Sequence, residues 1–332
     1  MTANKNGAKF VTYQDIADAL GITKMAVSKA LRDSPDISEE TKKSVREKAD
    51  ELGYIPNNLA ANLKRKKTNM IVVVFNSFHN PYFSIACYKI FEAVRKTNYL
   101  SQLFFCSKTV LDVDDVKELM INKYCGVVSF VEPTEQAASF FRNMGIPFVL
   151  VGINTKARGI DCVYTDDYRG GELVGEYFLT HNYKKALYAS DSLSETSKRR
   201  AGGFIDVVKK AGRKCTALHC GKPEEMARLA CDKIIFEKYD FVFCFSDSFA
   251  ISLLGRLEEL GVADGVTVFG YDNLHKYYPI IRKLNSVDSN LDLIIDYSCR
   301  LIISKIEGET LAEEKVEKVF GVTLAADKGG GV

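Results

Sequence analysis

The spacing of apolar residues divides the 332-residue chain into a short helical region and a longer region of alternating strands and helices. Between positions 12 and 52, apolar residues recur every three or four positions and are interrupted by turn residues, which predicts three short helices. Gly21 separates the first two helices, and Gly53 ends the third. Two short helices joined at a glycine are typical of a helix-turn-helix, whose second helix lies in the DNA major groove. A generic helical hairpin would show the same spacing.

From position 71 onwards, short apolar runs alternate with amphipathic stretches of helical period. The runs predicted to be buried strands are Ile71–Phe75, Leu103–Cys106, Val127–Val131, Phe148–Val151, Ala186–Ala189, Phe241–Phe245 and Val266–Tyr271. The stretches predicted to be helices include Ser84–Lys96, Gly171–Leu179, Ala201–Ala211, Glu225–Phe236 and Ala250–Leu260. Repeated strand–helix units predict parallel sheets covered on both faces, and roughly 260 residues suit two such sheets better than one. A small molecule would bind between two such lobes, beyond the carboxyl ends of the strands.

A short segment connects these two regions and ends in four consecutive cations, Lys64–Lys67. Pro56 and Asn57 are typical helix-start residues, but an isolated helix of about two turns is marginal in water. We therefore expect this segment to become ordered only against a partner. It is either a solvated linker or a hinge helix that inserts Leu63 into the DNA minor groove while the cations meet phosphates.

The charge distribution agrees with a nucleic-acid partner for the first region. Residues 1–67 contain 13 Lys and Arg against 9 Asp and Glu, whereas the remainder contains 32 basic and 34 acidic residues. No apolar run approaches the ~20 residues of a membrane helix, and the polar N-terminus does not resemble an export signal. We expect a cytoplasmic, nucleoid-associated protein with no membrane partner. Nine scattered cysteines without a C-x-x-C predict neither a disulfide framework nor a zinc site, and no cofactor is expected.

The order of several motifs resembles the lactose-repressor/galactose-repressor family. Val11–Leu31 followed by Leu52–Asn57 resembles the DNA-binding head of that family. The later landmarks are Asn80-Pro81-Tyr82-Phe83, Asp166-Asp167 with Gly170-Gly171, Arg200 with Gly203-Phe204, Ser246-Asp247 and Gly270-Tyr271-Asp272-Asn273. The match covers residues 11–326. It implies a homodimeric transcription regulator, expected to be a repressor, that binds a pseudo-palindromic operator and responds to a sugar or related metabolite.

The resemblance also implies a domain organisation. The fold class is a small all-α helix-turn-helix head plus an α/β two-lobed periplasmic-binding-protein-like core with two parallel doubly wound sheets. The head would occupy residues 9–56, the hinge helix or linker 57–67 and the core 68–332. The chain would cross between the lobes three times. One lobe would contain about 69–161 and 288–319, and the other 162–287 and 320–328.

By motif matching, Lys24, Met25 and Lys29 occupy the base-reading positions of the second helix. The family more often has arginine at the position of Lys29; lysine lacks the bidentate fork but can still donate to guanine O6 and N7. Met25 can offer only apolar contact, for example to a thymine methyl group. Lys24 would contact either a base or a phosphate. The positions that match phosphate-contacting or supporting residues are Thr12, Thr23, Ser28, Tyr54 and Asn57, with Leu63 and Lys64 in the hinge.

In the cleft, Arg200 and Asp272 match the two strongest effector-binding positions of the family. A guanidinium and a carboxylate can hold sugar hydroxyls or a purine edge, and the alternative is a structural ion pair between the lobes. The weaker candidates are Tyr82, Phe83, Ser194, Thr196, Ser246 and, last, Arg169. The aromatic residue that often stacks on the ligand is absent from positions 219–223. A sugar ring stacked in the usual way is therefore not expected.

Two other classes of protein share part of this pattern. An enzyme could use the strand–helix units, but no G-x-G-x-x-G, P-loop or G-x-S-x-G motif is present. A sugar-binding transport receptor would share the core but would have an export signal instead of a DNA-binding head. Asp288 replaces the family's frequent glutamine in a crossover strand. The 328–332 tail lacks leucine heptads, so we expect a dimer rather than a tetramer held by a coiled coil.

Overall fold

The computed structural model describes residues 11–54, 68–219, 223–309 and 315–326. The chain forms two compact units, Met1–Lys66 and Lys67–Val332. This division agrees with the change of pattern between the helical region and the strand–helix region. Among the described helices, none is both long and apolar enough to span a bilayer.

The described part of the first unit, residues 11–54, contains three helices: α1 (Tyr13–Leu20), α2 (Lys24–Leu31) and α3 (Glu39–Glu51). Thr12 and Asp15 form a reciprocal capping box at the start of α1, and Gly21 ends α1 with a left-handed φ of 66°. The Thr23 hydroxyl caps α2 by accepting a hydrogen bond from the Ala26 N–H. The apolar positions that produced the helical period form the core of this unit: Ile16, Ala17, Val27, Ala30, Val45 and Ala49. The predicted helix-turn-helix is thus confirmed.

The second unit contains two six-stranded sheets. The strands of the first sheet are β1 (Met70–Phe75), β2 (Leu100–Phe105), β4 (Gly126–Ser129), β6 (Phe148–Val151), β7 (Asp161–Thr165) and β13 (Glu317–Phe320). They lie in the order β13-β7-β6-β4-β1-β2, and all are parallel. The helices of this lobe are α4 (Pro81–Arg95), α5 (Val113–Ile121), α6 (Glu135–Asn143) and α11 (Leu291–Glu307). Two short strands, β3 (Val110–Leu111) and β5 (Glu132–Pro133), pair separately.

The strands of the second sheet are β8 (Lys185–Ser190), β9 (Lys214–His219), β10 (Phe241–Cys244), β11 (Thr267–Tyr271), β12 (Asn285–Asp288) and β14 (Thr323–Ala325). Their order is β14-β12-β11-β10-β8-β9, and only β14 is antiparallel. The helices of this lobe are α7 (Asp167–Thr180), α8 (Glu195–Lys210), α9 (Pro223–Glu237) and α10 (Asp247–Glu259). Two 3₁₀ turns, Ala263–Gly265 and Leu274–Lys276, complete it.

The central strands of each sheet are buried on both faces, as the continuous apolar runs predict. The run Leu103–Cys106 is an exception, because Leu103 and Phe105 lie on the edge strand β2 and are exposed. In β1, Ile71 and Val73 pack into one apolar cluster, whereas Val72 and Val74 pack into another on the opposite face. The described strands pass between the sheets three times, because β13 returns to the first sheet and β14 to the second.

All three crossings between the lobes differ slightly from their predicted positions. The first crossing lies after Thr165 rather than at 161–162, because β7 pairs with β6 on one side and β13 on the other. The second follows Asp288 rather than 287, because Asp288 ends β12 and pairs with Thr323 in the second sheet. The third crossing follows Phe320 rather than 319, since Phe320 still pairs with Thr165. The sequence pattern did not single out β7, because its polar ends, Asp161 and Thr165, interrupt the apolar run that marks the other central strands.

Candidate functional site

Helices α7 and α8 make direct backbone contact in the second lobe. A Cβ atom on Gly203 would lie 1.9 Å from the Tyr168 carbonyl oxygen, and a Cβ on Gly171 would lie 2.1 Å from the Arg200 carbonyl oxygen. Only glycine permits this approach at either position. The contact holds Asp167, in the first turn of α7, beside Arg200 on α8.

The Arg200 guanidinium is a buried hub, with the residue only 7% exposed. Its Nε donates to the Asp167 carboxylate at 2.8 Å, and its Nη1 donates to the Phe245 carbonyl oxygen at 2.7 Å. Its central carbon lies 3.4 Å from the centre of the Tyr271 ring, a cation–π contact. Burial opposes the charge, but Asp167, Tyr271 and Asp272 outweigh burial and raise the pKa of Arg200. Arg200 is therefore a cation at any physiological pH.

Asp272 lies beside Arg200, but few interactions offset the cost of burying its carboxyl group. Its carboxylate is 3.9 Å from Arg200 Nη1, and the residue is 5% exposed. No described residue donates a hydrogen bond to this carboxylate, and burial raises its pKa well above the usual value. Asp272 and Asn273 have left-handed φ angles of 106° and 51°. Such backbone strain in non-glycine residues is concentrated at binding sites.

Asp247 fixes the loop that begins with Asp272. Its carboxylate accepts hydrogen bonds from the Ser286 hydroxyl at 2.6 Å and from the Leu274 N–H at 2.8 Å. Burial raises the pKa of Asp247 to about 6, although both donors favour the charged form. The loop geometry at Asp272 therefore depends on a buried carboxyl group that titrates near neutral pH.

Lowering the pH from about 7.5 to about 5.5 is expected to stabilise the core through Asp247. Because the folded pKa of about 6 exceeds the ordinary value of 3.8, the folded state binds the proton more tightly than the unfolded state. The stability contributed by this group is present at low pH and is lost as the pH rises through 6, a difference of about 1 kcal/mol over this interval. Urea unfolding of the native chain and of Asp247→Asn at both pH values measures it. Equal pH dependence in the two proteins would contradict the assignment.

The first lobe contributes Tyr82 to the site around Arg200 and Asp272. Asn80 and Pro81 start α4, which places Tyr82 in its first turn. Burial raises the pKa of the Tyr82 phenol, and the charges of Asp272 and Arg200 act on it directly. Phe83 packs edge-to-face on Phe130, with 5.6 Å between the ring centres. Tyr82, Arg200 and Asp272, which sequence matching proposed separately, thus lie close together.

The other predicted cleft residues have identifiable structural roles. The hydroxyls of Ser194 and Ser246 cap α8 and α10, accepting from the N–H groups of Ser197 and Phe249. Thr196 is half-buried in the first turn of α8. Arg169 does not join the hub; it pairs along α7 with Glu172 and Glu176.

One sequence alternative is wrong. Arg200 and Asp272 both belong to the second lobe, so they do not form an ion pair between lobes, and the shortest ion pair of Arg200 is with Asp167. Sequence matching did not single out the roles of Asp167, Phe245, Tyr271 and Asp191. Three of these four end or directly follow a strand of the second sheet, which is the signal that could have identified them.

On the head, the exposed side of α2 carries the predicted base-reading residues. Lys24 and Lys29 are exposed, and Met25 is 70% exposed. Lys29 forms an ion pair with Asp36, and Ser28 accepts a hydrogen bond from Arg32 at 2.8 Å. The Tyr54 ring packs on Tyr13, with 5.4 Å between ring centres. Thr12 and Thr23 act as helix caps, while Asn57, Leu63 and Lys64 lie outside the described residues.

Two family models match the chain. Residues 12–57 match the lacI family of bacterial regulatory proteins, and residues 135–317 match the periplasmic binding proteins and sugar binding domain of the LacI family. The chain belongs to the LacI family. Members of this family are DNA-binding transcriptional repressors with a ligand-binding domain and are not enzymes, so the chain is a regulator of this kind.

Individual relatives match almost the whole length. The HTH-type transcriptional repressor PurR of Mannheimia succiniciproducens is 25% identical over 92% of this chain and 95% of its own. The probable HTH-type transcriptional repressor ExuR of Bacillus subtilis shows the same identity and coverage. The lac repressor dimer bound to operator and the anti-inducer ONPF is 18% identical, with a TM-score of 0.80 over 95% of this chain and 98% of that chain. This structural likeness shows that the LacI fold is shared.

Proposed function

We propose that the chain is a repressor that binds a pseudo-palindromic operator as a homodimer and is controlled by a small molecule in the cleft. The proposed operator contacts are Lys24, Met25 and Lys29 on α2, with Leu63 and Lys64 assigned to the hinge from sequence alone. The proposed effector contacts are Tyr82, Arg200 and Asp272. The lac repressor relative was solved as a dimer on its operator, which supports the same assembly here.

Met25 carries the DNA-binding part of the proposal. Met25 is 70% exposed and follows the exposed Lys24, so its side chain gains little from folding. On the second helix of a helix-turn-helix, the same side chain would face the major groove and could cover a thymine methyl group. The flanking Lys24 can contact a base or a phosphate directly. Lys29 would have to break its ion pair with Asp36 before it could contact DNA.

Replacing Met25 with alanine is expected to weaken specific DNA binding about tenfold without lowering the melting temperature, because the side chain stabilises the complex and not the head. An operator selected from randomised palindromic duplexes provides the probe, and fluorescence anisotropy gives the affinity. Met144→Ala is the matched control, since Met144 is also an exposed methionine but belongs to the second unit rather than to the DNA-binding head. Unchanged affinity in Met25→Ala would reject this contact.

The dimer is proposed to form along strand β2. This strand ends the first sheet, so its outer edge has no neighbouring strand among the described residues. Leu100, Leu103 and Phe105 on β2 are exposed, and Phe78, which is 67% exposed, stacks on Phe105 with 4.8 Å between ring centres. An apolar edge strand would invite aggregation unless another surface covers it, and a second copy of the chain would do so.

The variant Phe105→Glu is therefore expected to be monomeric at concentrations where the native protein is dimeric. The charge would be desolvated at the interface, at a cost of several kcal/mol. Light scattering during gel filtration measures the mass. Ile121→Glu serves as the control, because Ile121 is an apolar residue on α5 rather than on β2 and is even more exposed than Phe105, 77% against 46%. A dimer that persists in Phe105→Glu would exclude this edge as the interface.

A further inference from the structure

Three adjacent strands of the second sheet end in an acid–aromatic–acid row. Asp191 directly follows β8, Phe245 directly follows β10 and Asp272 directly follows β11. In the sheet, β10 lies between β8 and β11, and all three strands are parallel. Adjacent strands are about 4.8 Å apart, so the two aspartates emerge about 10 Å apart at the same edge, with Phe245 between them.

This row contains more carboxyl groups than the neighbouring guanidinium can pair with. Arg200 already forms its shortest ion pair with Asp167, at 2.8 Å. Asp247 adds a further buried carboxyl group, which is held by Ser286 and Leu274. Asp272 is 95% buried and receives no hydrogen bond from any described residue, while its one cationic neighbour, Arg200, is 3.9 Å away.

Asp191 is a second carboxyl group that lacks a hydrogen-bond donor among the other described residues. It is half-buried. Its charge acts on Cys244 at the end of β10, which places it over the same part of the sheet edge as Asp247. Burial raises the pKa of both Asp191 and Asp272. A ligand cation would remove this cost because it favours the charged form of each carboxyl group.

Aromatic rings line the same space. Phe245 is half-buried, with its ring 4.9 Å from the Arg200 guanidinium, and Tyr82 approaches from the first lobe. Carboxylates next to aromatic faces attract cations, since each ring presents a negative face. A carboxylate or phosphate on a ligand would instead be repelled by Asp191, Asp247 and Asp272 in their charged forms.

We propose that the effector of this regulator carries a protonated amine, which Asp191 and Asp272 hold at the edge of the second sheet. The inference rests on the proposed effector function of the cleft. It assigns to Asp191 a role in ligand selection that family matching does not indicate. The effector class is thus an amine, such as an amino sugar or a short aliphatic amine, and not an acidic sugar.

The test uses three sets of probes that differ mainly in charge. They are glucosamine, glucose and glucuronate; galactosamine, galactose and galacturonate; and putrescine, 1,4-butanediol and succinate. Calorimetry on the full chain gives the affinities, and thermal shift gives the stabilisation by mass action. In at least one set we expect the amine to bind about tenfold or more tightly than its neutral partner, with no binding of the acid.

Variants at Asp191 separate selection from general attraction. Asp191→Asn is expected to remove about tenfold of the preference for the amine, and Asp191→Lys to shift the preference toward the acid of the same set. Asp264→Asn, an exposed acid of the same lobe, should leave the preference unchanged. Melting temperatures of the variants without ligand report whether each remains folded.

The outcomes distinguish failure of the amine assignment from failure of the proposed effector function of the cleft. Equal or tighter binding of a neutral or acidic probe would overturn the amine assignment while supporting an effector site in the cleft. Binding that Asp191→Asn and Asp264→Asn alter equally would also overturn it. If none of the probes binds, the amine assignment is contradicted. If no metabolite changes the affinity of the protein for its operator, the effector function itself is contradicted.

Discussion

Replacing Arg200 with methionine is expected to lower the free energy of unfolding of the core by about 3–5 kcal/mol. Methionine fills a similar volume but leaves Asp167 buried without its ion-pair partner. It also deprives the Phe245 carbonyl oxygen of its donor and Asp272 of its cationic neighbour among the described residues. Truncating one member of a buried pair is costly because the remaining charge is still desolvated.

Urea unfolding at neutral pH measures this loss, and two further variants interpret it. Arg199→Met removes the adjacent cation. Its ion pair with Asp166 is long, at 3.9 Å, and half exposed, so we expect the free energy of unfolding to change by less than about 1 kcal/mol. The double variant Arg200→Met/Asp167→Leu removes both charges and should recover much of the stability. If the single variant lost no more than Arg199→Met, Arg200 would not be the structural hub described above.

This result affects how the effector site is tested. A missing response in an Arg200 variant would report lost stability as readily as lost ligand contact. Asp272→Asn is the better probe, because no described residue depends on the Asp272 carboxylate for a hydrogen bond. The same argument favours Asp191 for testing ligand selection.

Replacing Gly203 with alanine is expected to destabilise the core by about 3 kcal/mol, the cost of forcing a methyl group into a packed interface. The new Cβ would lie 1.9 Å from the Tyr168 carbonyl oxygen and 2.9 Å from the Glu172 nitrogen. These are backbone atoms of α7, so relief requires moving a whole helix. Separation of α7 from α8 would also lengthen the contact between Asp167 and Arg200.

The adjacent glycine is a matched control. A Cβ on Gly202 would first meet a ring carbon of Tyr168 at 3.4 Å, an ordinary contact with a side chain that can move. Gly202 lies inside α8, where alanine is favoured over glycine by up to about 1 kcal/mol. Thermal unfolding of Gly202→Ala and Gly203→Ala should therefore differ in sign. Equal melting temperatures would show that the two helices are not held by backbone contact.

Much of the fold could be predicted from local pattern. The three helices of the head and the central strands β1, β4, β6, β8, β10 and β11 each correspond to an apolar period or run, since burial imposes that period on the sequence. Edge strands were predicted only in part: the run Leu103–Cys106 overlaps β2, whereas no run marked β9. Strand β9 alternates between exposed and half-buried residues, so it lacks the continuous apolar run of a central strand.

The candidate site could be predicted only in part. Tyr82, Arg200 and Asp272 were identified from motif positions, and the structure places them together. The role of Asp167 could not be predicted, because it depends on backbone contact between α7 and α8 at two glycines that are 32 positions apart. Asp191 has no unusual sequence context, and only the order of β8, β10 and β11 sets it opposite Asp272.

The sequence by itself determined the DNA-binding head, the two-sheet core and the LacI family, because apolar period and motif spacing are local properties. The tertiary structure alone decided where the chain crosses between lobes, which partner balances Arg200 and which acids face the cleft. Those features arise from contacts between residues far apart in the chain. Strand order and helix contact bring such residues together, and neither is encoded in the period of any single segment.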